Sequence, residues 1–196
     1  FLAAKATGQV NVCAIFDNEE VGSLTKQGAD SSFLTETLQH INAACGKDTI
    51  AYHRDLAGSF MVSADNAHAF HPAHAEKYDP KSRVYMNGGV VIKYNANQRY
   101  TSDAVSAGIF RRICESAGVP VQYYANRADM PGGSTLGNIS NTQVSLNAVD
   151  IGLAQLAMHS PFETAGAADT ASLVKALTAF FEHSLVAERD GVYRFL

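Results

Sequence analysis

The chain has 196 residues, of which 46% are hydrophobic and 17% are charged, a composition typical of a globular protein with a core of its own. The net charge of -4 and the scattered lysines and arginines exclude the clustered basic face that nucleic-acid binding needs. No apolar run approaches the roughly 20 residues of a membrane helix, and no segment resembles a signal peptide. We therefore expect neither nucleic acid nor a membrane as a partner.

The cysteine pattern indicates a compartment. Cys13, Cys45 and Cys114 are far apart, odd in number and set among apolar residues. This pattern predicts buried thiols in a reducing environment and neither a disulfide framework nor a CxxC metal site. We expect a cytoplasmic protein.

Short apolar, β-branched runs alternate with helical patterns along the chain. In chain order, the predicted strands are Val10–Phe16, Ser59–Ala64, Gly89–Tyr94, Val119–Tyr124 and part of Val149–Met158. The predicted helices have apolar stripes at Leu34, Leu38, Ile41 and Cys45, at Val105, Ile109 and Ile113, and at Leu173, Leu177, Phe180 and Phe181. This alternation predicts an α/β fold with a mostly parallel central sheet flanked by helices.

Polar side chains of the metal-binding kind follow three of these predicted strands. The first ends in the acidic turn Asp17–Glu20, the second is followed by Asp65 and His68, and the last by His159. In open α/β sheets, sites gather at the carboxyl ends of strands. Carboxylates and imidazoles are ligands suited to zinc, with manganese or cobalt as substitutes. The agreement of three strand ends predicts a metal site.

Each feature also has an ordinary structural explanation when it stands alone. An acidic turn such as Asp17–Glu20 is typical of a solvated loop or of a helix start. Pro72 interrupts any helix that would align His68 with the histidines that follow it. His159, after an apolar run, is also consistent with a hydrogen-bonded core histidine. The metal hypothesis therefore depends on the three strand ends taken together.

Two further segments are candidates for substrate binding. Lys93 interrupts the apolar strand Gly89–Tyr94, where a buried ammonium needs a partner. A lysine that extends from an edge strand into water explains Lys93 equally well. The glycine-rich turn Pro131–Asn138 opens a helix, and its backbone N–H groups are able to bind an anion such as a carboxylate.

Five segments stand in one order and span nearly the whole chain: FDNEEVGS, SADNAHAFHP, GGVVIKYNANQRY, GGSTLGNIS and DIGLAQLAMHSPFET. Together they resemble the aspartyl aminopeptidase family of two-zinc aminopeptidases. The resemblance implies a metalloaminopeptidase that removes N-terminal Asp or Glu from peptides with a water activated by two metal ions. It also implies two zinc ions in a complete site, manganese or cobalt as possible replacements, and a large homo-oligomer.

The same resemblance implies roles for individual residues of the metal site. Glu19 resembles the general base that accepts a proton from the attacking water. Glu20 and His159 resemble ligands of one zinc ion, and Asp65 resembles a ligand of the second.

Substrate-binding residues also follow from the resemblance. His68 resembles a family histidine that contacts the substrate or the tetrahedral intermediate. Lys93 and the turn formed by Gly133, Ser134 and Thr135 resemble the pocket for the acidic side chain of the first substrate residue.

Members of the family have further parts that this chain does not show. They have another His ligand and a metal-bridging Asp upstream of the Glu-Glu pair, and an inserted β domain used in oligomer assembly. We therefore expect residues 1–196 to be the C-terminal part of the catalytic domain, without the upstream part and the inserted β domain. A two-metal site without its bridge should bind metal poorly, so we expect this polypeptide alone to have little or no peptidase activity.

Two other functions are compatible with the same residues. One is a related two-zinc aminopeptidase of neutral specificity, in which Lys93 is merely structural. The other is a non-catalytic assembly module that kept the fold and lost its metals. The presence of Glu19, Glu20, Asp65 and His159 together argues against the module, because drift would be expected to erase ligands.

Overall fold

Residues 1–5 and 7–196 are described by a computed structural model. The helices are α1 (Glu19–Gly22), α2 (Phe33–Ala44), α3 (Thr49–Ala57), α4 (Ala104–Ser116), α5 (Leu136–Gln143) and α6 (Ala167–Glu182), with a 3-10 helix at Pro72–Lys77. The strands are β1 (Phe60–Ala64), β2 (Ala67–His68), β3 (Val90–Tyr94), β4 (Val121–Ala125), β5 (Asn147–Gly152), β6 (Ala154–Leu156), β7 (Thr164–Ala165), β8 (Leu185–Arg189) and β9 (Val192–Phe195).

The central sheet has four strands in the order β1-β5-β3-β4. The pairs β1–β5 and β3–β4 are parallel, and β3 pairs with β5 in the antiparallel sense. The prediction of an α/β fold with a mostly parallel sheet is confirmed. Two smaller sheets, β2-β6-β7 and the hairpin β8-β9, complete the described strands.

The two faces of the central sheet differ in chemistry. Successive side chains of a strand point to opposite faces, so Val90 and Ile92 pack with Phe110 of α4 on one face. Val91 belongs to a second apolar cluster on the other face, which also contains Tyr100. Lys93 shares the face of Val91, and this places a charged side chain inside the protein.

Helix α4, one of the predicted helices, has clear local causes at both ends. Asp103 accepts a hydrogen bond from the backbone N–H of Ser106, and the Ser106 hydroxyl accepts one from the N–H of Asp103, a capping box that starts α4. Gly118, with φ at 62°, follows the end of α4 in the left-handed conformation. The longest helix, α6, has 16 residues. Within the described part of the chain, no helix has the length and apolarity to cross a membrane.

The predicted strand Val10–Phe16 is wrong, because this segment has no regular secondary structure. Its β-branched residues suit an extended backbone, but its N–H and C=O groups form no ladder with another described strand. The side-chain amide of Asn11 instead donates to the Phe181 carbonyl at 2.9 Å. Val10 and Ile15 are exposed as a result.

The prediction of three buried thiols is also wrong in part. Cys114, on the buried face of α4, lies in the core, and burial raises the pKa of its thiol to about 12. Cys13 and Cys45 are exposed, since the first lies in the segment without a strand and the second ends α2. All three cysteines are free.

Gly137 lies where α5 packs on the central sheet. A methyl group at Gly137 would stand 2.6 Å from Asp150 Oδ1 and 2.8 Å from Ser63 Oγ. We expect Gly137→Ala to lower the free energy of unfolding by about 1–3 kcal/mol through overpacking. Gly108→Ala in α4 meets no atom within 4 Å and should raise it by about 0.5–1 kcal/mol. Urea denaturation of both variants measures the difference, and effects of the same sign would contradict this account of α5 packing.

Candidate metal and active site

The acidic turn forms the start of helix α1. Asn18 adopts the left-handed conformation with φ at 55°, and its N–H donates to Asp17 Oδ1 at 2.9 Å. Glu19 and Glu20 follow in the first turn of the helix, where carboxylates are favoured by the exposed N–H groups. The turn therefore has a local structural reason for its acidity as well as a candidate chemical one.

Glu20 and His159 contact each other although they are far apart in the sequence. The distance from His159 Nε2 to Glu20 Oε2 is 2.9 Å. The His159 side chain is 62% exposed and the Glu20 side chain is 64% exposed, so both remain accessible to a ligand. The structure thus brings together the two residues that the family resemblance assigns to one zinc ion.

Asp65 lies directly after β1 and is fixed through its backbone. Its N–H donates to the Ile151 carbonyl at 2.9 Å. The Asp65 carbonyl also approaches Gly152 so closely that a side chain there would overlap it, at 1.9 Å from the Cβ position. The Asp65 side chain is 30% exposed, so its carboxylate remains partly accessible.

Lys93 is buried beneath Asp65 rather than extended into water. The pairing of β3 with both β5 and β4 makes it a central strand, which excludes an edge-strand lysine. Lys93 Nζ lies 2.9 Å from the Asp65 carbonyl, 3.3 Å from the Asn66 carbonyl and 3.4 Å from Asp65 Oδ2. Burial lowers the pKa of Lys93, and the negative charges of Asp65 and Asp150 oppose that shift.

The electrostatics of Glu19 depend on the neighbouring residues of the turn, on Asp65 and on His159. Burial raises the pKa of Glu19, and the neighbouring negative charges of Asp65 and Glu20 raise it further. The imidazole of His159 acts in the opposite direction. A carboxylate with a raised pKa is a stronger base than an ordinary one.

His68 lies on the strand next to the one that leads to His159. It is the last residue of β2, which pairs in parallel with β6 and sets His68 beside Gln155. Desolvation lowers the pKa of His68, and the positive charges of His159 and Lys93 lower it further. The ring is therefore biased towards its neutral form, which is able to donate one hydrogen bond and accept another.

The glycine-rich turn is separate from these residues in its hydrogen bonding. The Ser134 hydroxyl and the Thr135 N–H both donate to Asn138 Oδ1, at 2.8 and 3.0 Å. These bonds position Gly133, Ser134 and Thr135 at the start of α5. No hydrogen bond of the described residues joins this turn to Glu19, Glu20 or Asp65.

Two residues that the sequence did not single out organise the site. Glu163 Oε1 accepts a hydrogen bond from the backbone N–H of His159 at 2.6 Å. The Asn66 side chain donates to Gln155 Oε1 at 2.6 Å and accepts from the Leu153 N–H at 3.2 Å. A polar residue beside a candidate ligand is a weak signal in a sequence, because most such residues are simply solvated.

The donor chemistry of the site fits part of a zinc-binding site. Glu20 and His159 supply a carboxylate oxygen and an imidazole nitrogen in contact, the donor types that zinc takes. Asp65 supplies a further carboxylate that Lys93 orients. Among the residues that the structure describes, no three His, Cys, Asp or Glu side chains converge into a complete metal-binding group. The residues present thus supply one carboxylate–imidazole pair and one further carboxylate.

The candidate site lies apart from two cavities of the structure. A cavity of about 740 Å³ lies elsewhere, between the segment Val10–Phe16, helix α2 and strand β1. A polar cleft of about 650 Å³ lies near Tyr100 and Asn141. Glu19, Glu20 and His159 line neither of them.

The pairing of Lys93 with Asp65 should be measurable as an energetic coupling. We expect Lys93→Met and Asp65→Asn to be coupled by about 2 kcal/mol in the free energy of unfolding. Each single change removes one charge of the pair and leaves the other without its partner. The exposed pair Lys47–Asp55 is the matched control, for which Lys47→Met and Asp55→Asn should show less than about 1 kcal/mol. Equal coupling in the two double-mutant cycles would contradict the buried pairing.

Known proteins resemble this chain in both sequence and structure. A probable M18 family aminopeptidase 2 of Clostridium acetobutylicum is 47% identical over 178 residues, which are 91% of this chain and 41% of that protein. A cryo-EM structure of a complex of Ape4 and Nbr1 superposes with a TM-score of 0.82 and 38% identity, covering 85% of this chain and 32% of that one. The structure of the S. cerevisiae mApe1 dodecamer superposes with a TM-score of 0.73 and 28% identity, covering 86% and 37%.

The chain spans about two fifths of the length of the bacterial relative that it matches. A family model described as Aminopeptidase I zinc metalloprotease (M18) matches residues 3–181. That match covers most of the chain, including Glu19, Glu20, Asp65, His68, Lys93 and His159. The chain belongs to the M18 family of aminopeptidases.

Proposed function

We propose that the protein is a metalloaminopeptidase that removes single residues from the amino termini of peptides. The observation that supports this most directly is the contact of Glu20 with His159, beside a Glu19 whose pKa is raised. Membership of the M18 family supports the same reaction class. We propose zinc as the metal, with manganese or cobalt as possible replacements, since the donors are carboxylates and an imidazole.

Each residue of the candidate site has a task in this proposal. Glu20 and His159 would hold one ion and Asp65 the other. Zinc, when bound, lowers the pKa of a water molecule and polarises the scissile carbonyl. Glu19 accepts a proton from the attacking water at its carboxylate and delivers it to the leaving amine. His68, biased towards its neutral form, donates a hydrogen bond to the substrate or to the developing oxyanion.

We propose N-terminal Asp and Glu as the preferred substrate residues. Lys93, together with Gly133, Ser134 and Thr135, is the candidate pocket for the acidic side chain. The Lys93 ammonium is buried where Coulomb interactions are weakly screened, so its charge favours a carboxylate bound nearby. The Lys93 ammonium would attract the substrate carboxylate through its charge and not through a direct hydrogen bond, because its hydrogen bonds already go to Asp65 and Asn66.

Those same contacts favour a second candidate, an aminopeptidase of neutral specificity. If the Lys93 ammonium serves only to hold Asp65 and Asn66, it does not select the substrate. Both candidates use the same metal site and the same general base. They differ in what the charge of Lys93 does to the choice of substrate.

We also propose the surroundings in which the enzyme works. Residues 1–196 would form part of a catalytic domain within a longer protein, since the bacterial relative extends well beyond the matched region. The mApe1 dodecamer supports a large homo-oligomer for this protein, and we propose the cytoplasm as its compartment.

Substitution of Lys93 distinguishes the two specificities. We expect Lys93→Met in the full-length protein to lower the ratio of kcat/KM for Asp- and Glu-derived substrates to that for Ala- and Leu-derived substrates. The expected loss is about tenfold or more, equivalent to about 1.4 kcal/mol of transition-state stabilisation. Chromogenic substrates measure the ratio, which does not depend on the fraction of active protein.

The matched control is Lys81→Met, which removes an exposed lysine from the loop between the 3-10 helix and β3. Its ratio should equal that of the unmodified protein. An unchanged ratio in Lys93→Met would contradict acidic selection by Lys93 and would favour the neutral aminopeptidase.

A further inference from the structure

His159 lies in a seven-residue loop of a hairpin. Strand β6 enters the loop and β7 leaves it, with Leu156 paired to Thr164 and Gln155 paired to Ala165 in the antiparallel ladder. Glu163 is the last residue before β7, so the base of the hairpin fixes its backbone. His159 lies farther from the ladder, where its own neighbours in the sequence must hold it.

The loop backbone adopts an unusual conformation at His159. Ala157 has φ at 55° and His159 has φ at 67°, both in the left-handed region that residues with a Cβ atom rarely adopt. Such a conformation persists only where surrounding contacts determine it. The Ser160 N–H donates to the Ala157 carbonyl at 3.0 Å, which closes one turn of the loop but does not contact the backbone N–H of His159.

The contact that does hold the backbone of His159 comes from Glu163. Its Oε1 accepts the N–H of His159 at 2.6 Å, a short bond to an ionisable acceptor. The bond joins the base of the hairpin to the residue with positive φ. On the other side of the same residue, His159 Nε2 lies 2.9 Å from Glu20 Oε2.

We propose that Glu163 is a positioning residue for His159, which holds the imidazole in the orientation that meets Glu20. This inference rests on the proposed function, because it concerns the residues that would hold one zinc ion. Glu163 acts through the backbone of His159. The hydrogen bond from the His159 N–H requires an acceptor oxygen 2.6 Å away and does not require a bound metal. Loss of this bond frees the loop to adopt other conformations, in which the His159 ring no longer faces Glu20.

The test compares zinc affinity among four variants of the full-length protein. Zinc dissociation constants are measured by competition with a chromophoric chelator. Glu163→Ala removes the acceptor, Glu163→Gln keeps a carbonyl oxygen at the same length, and Glu163→Asp keeps the charge but shortens the side chain by one methylene. The matched control Ser160→Ala removes another acceptor of the same loop, the one that the Phe162 N–H uses.

We expect Glu163→Ala and Glu163→Asp to weaken zinc binding by about 10- to 100-fold, the usual cost of losing a group that orients a metal ligand. Glu163→Gln and Ser160→Ala should stay within about threefold of the unmodified protein. Added zinc should restore much of the peptidase kcat of Glu163→Asp with little change in KM, because a higher zinc concentration occupies a metal site whose affinity has fallen.

Three results would overturn the inference. Zinc affinity in Glu163→Asp equal to that of the unmodified protein would show that the bond is unimportant. Weak zinc binding by Glu163→Gln together with normal binding by Glu163→Asp would assign the effect to charge, and a Ser160→Ala variant as weak as Glu163→Asp would assign it to general loop stability. If Glu163→Ala does not fold, the Gln and Asp variants alone test the role of Glu163.

Absence of zinc binding in the unmodified protein would instead contradict the proposed function.

Discussion

An ammonium group lies beneath the candidate site with almost no contact with water, since Lys93 is 1% exposed. Burying a charge is costly unless other groups replace its hydration. Here the replacement comes from the Asp65 and Asn66 carbonyls, the Asp65 carboxylate and the ring of Tyr100, whose centre is 5.0 Å from the nitrogen. The loop after β1 must therefore turn its carbonyls inward. That turn leaves the Asp65 carboxylate partly exposed above the ammonium.

The two sheets meet at this loop, and their junction brings the remaining residues together. Asn66 follows Asp65 and bonds to Gln155 and Leu153, which ties the end of β1 to β6. Strand β6 then leads into the hairpin loop that contains His159. A buried lysine in the central sheet thus constrains one candidate ligand directly and a second one through the neighbouring sheet. The acidic turn belongs to neither sheet, and it joins the candidate site through the contact of Glu20 with His159.

Much of this architecture follows from sequence patterns that have local causes. The strands β1, β3 and β4 and the helices α2, α4 and α6 were predictable, because apolar periodicity and the Asp103 cap specify them within a few residues. The acidic turn, Asp65, His68 and His159 were identifiable as chemical candidates for the same reason. The failure at Val10–Phe16 shows the limit, since β-branched residues favour an extended backbone but cannot supply a partner strand. The partner of Lys93 and the bond from Glu163 to His159 depend on tertiary contacts that no local pattern records.

The most direct test of the central claim is anomalous scattering at the zinc absorption edge from crystals of the zinc-loaded full-length protein. We expect one peak about 2.0–2.2 Å from a Glu20 oxygen and a His159 nitrogen, and another at that distance from an Asp65 oxygen. Zinc peaks that lie away from all three side chains would contradict it.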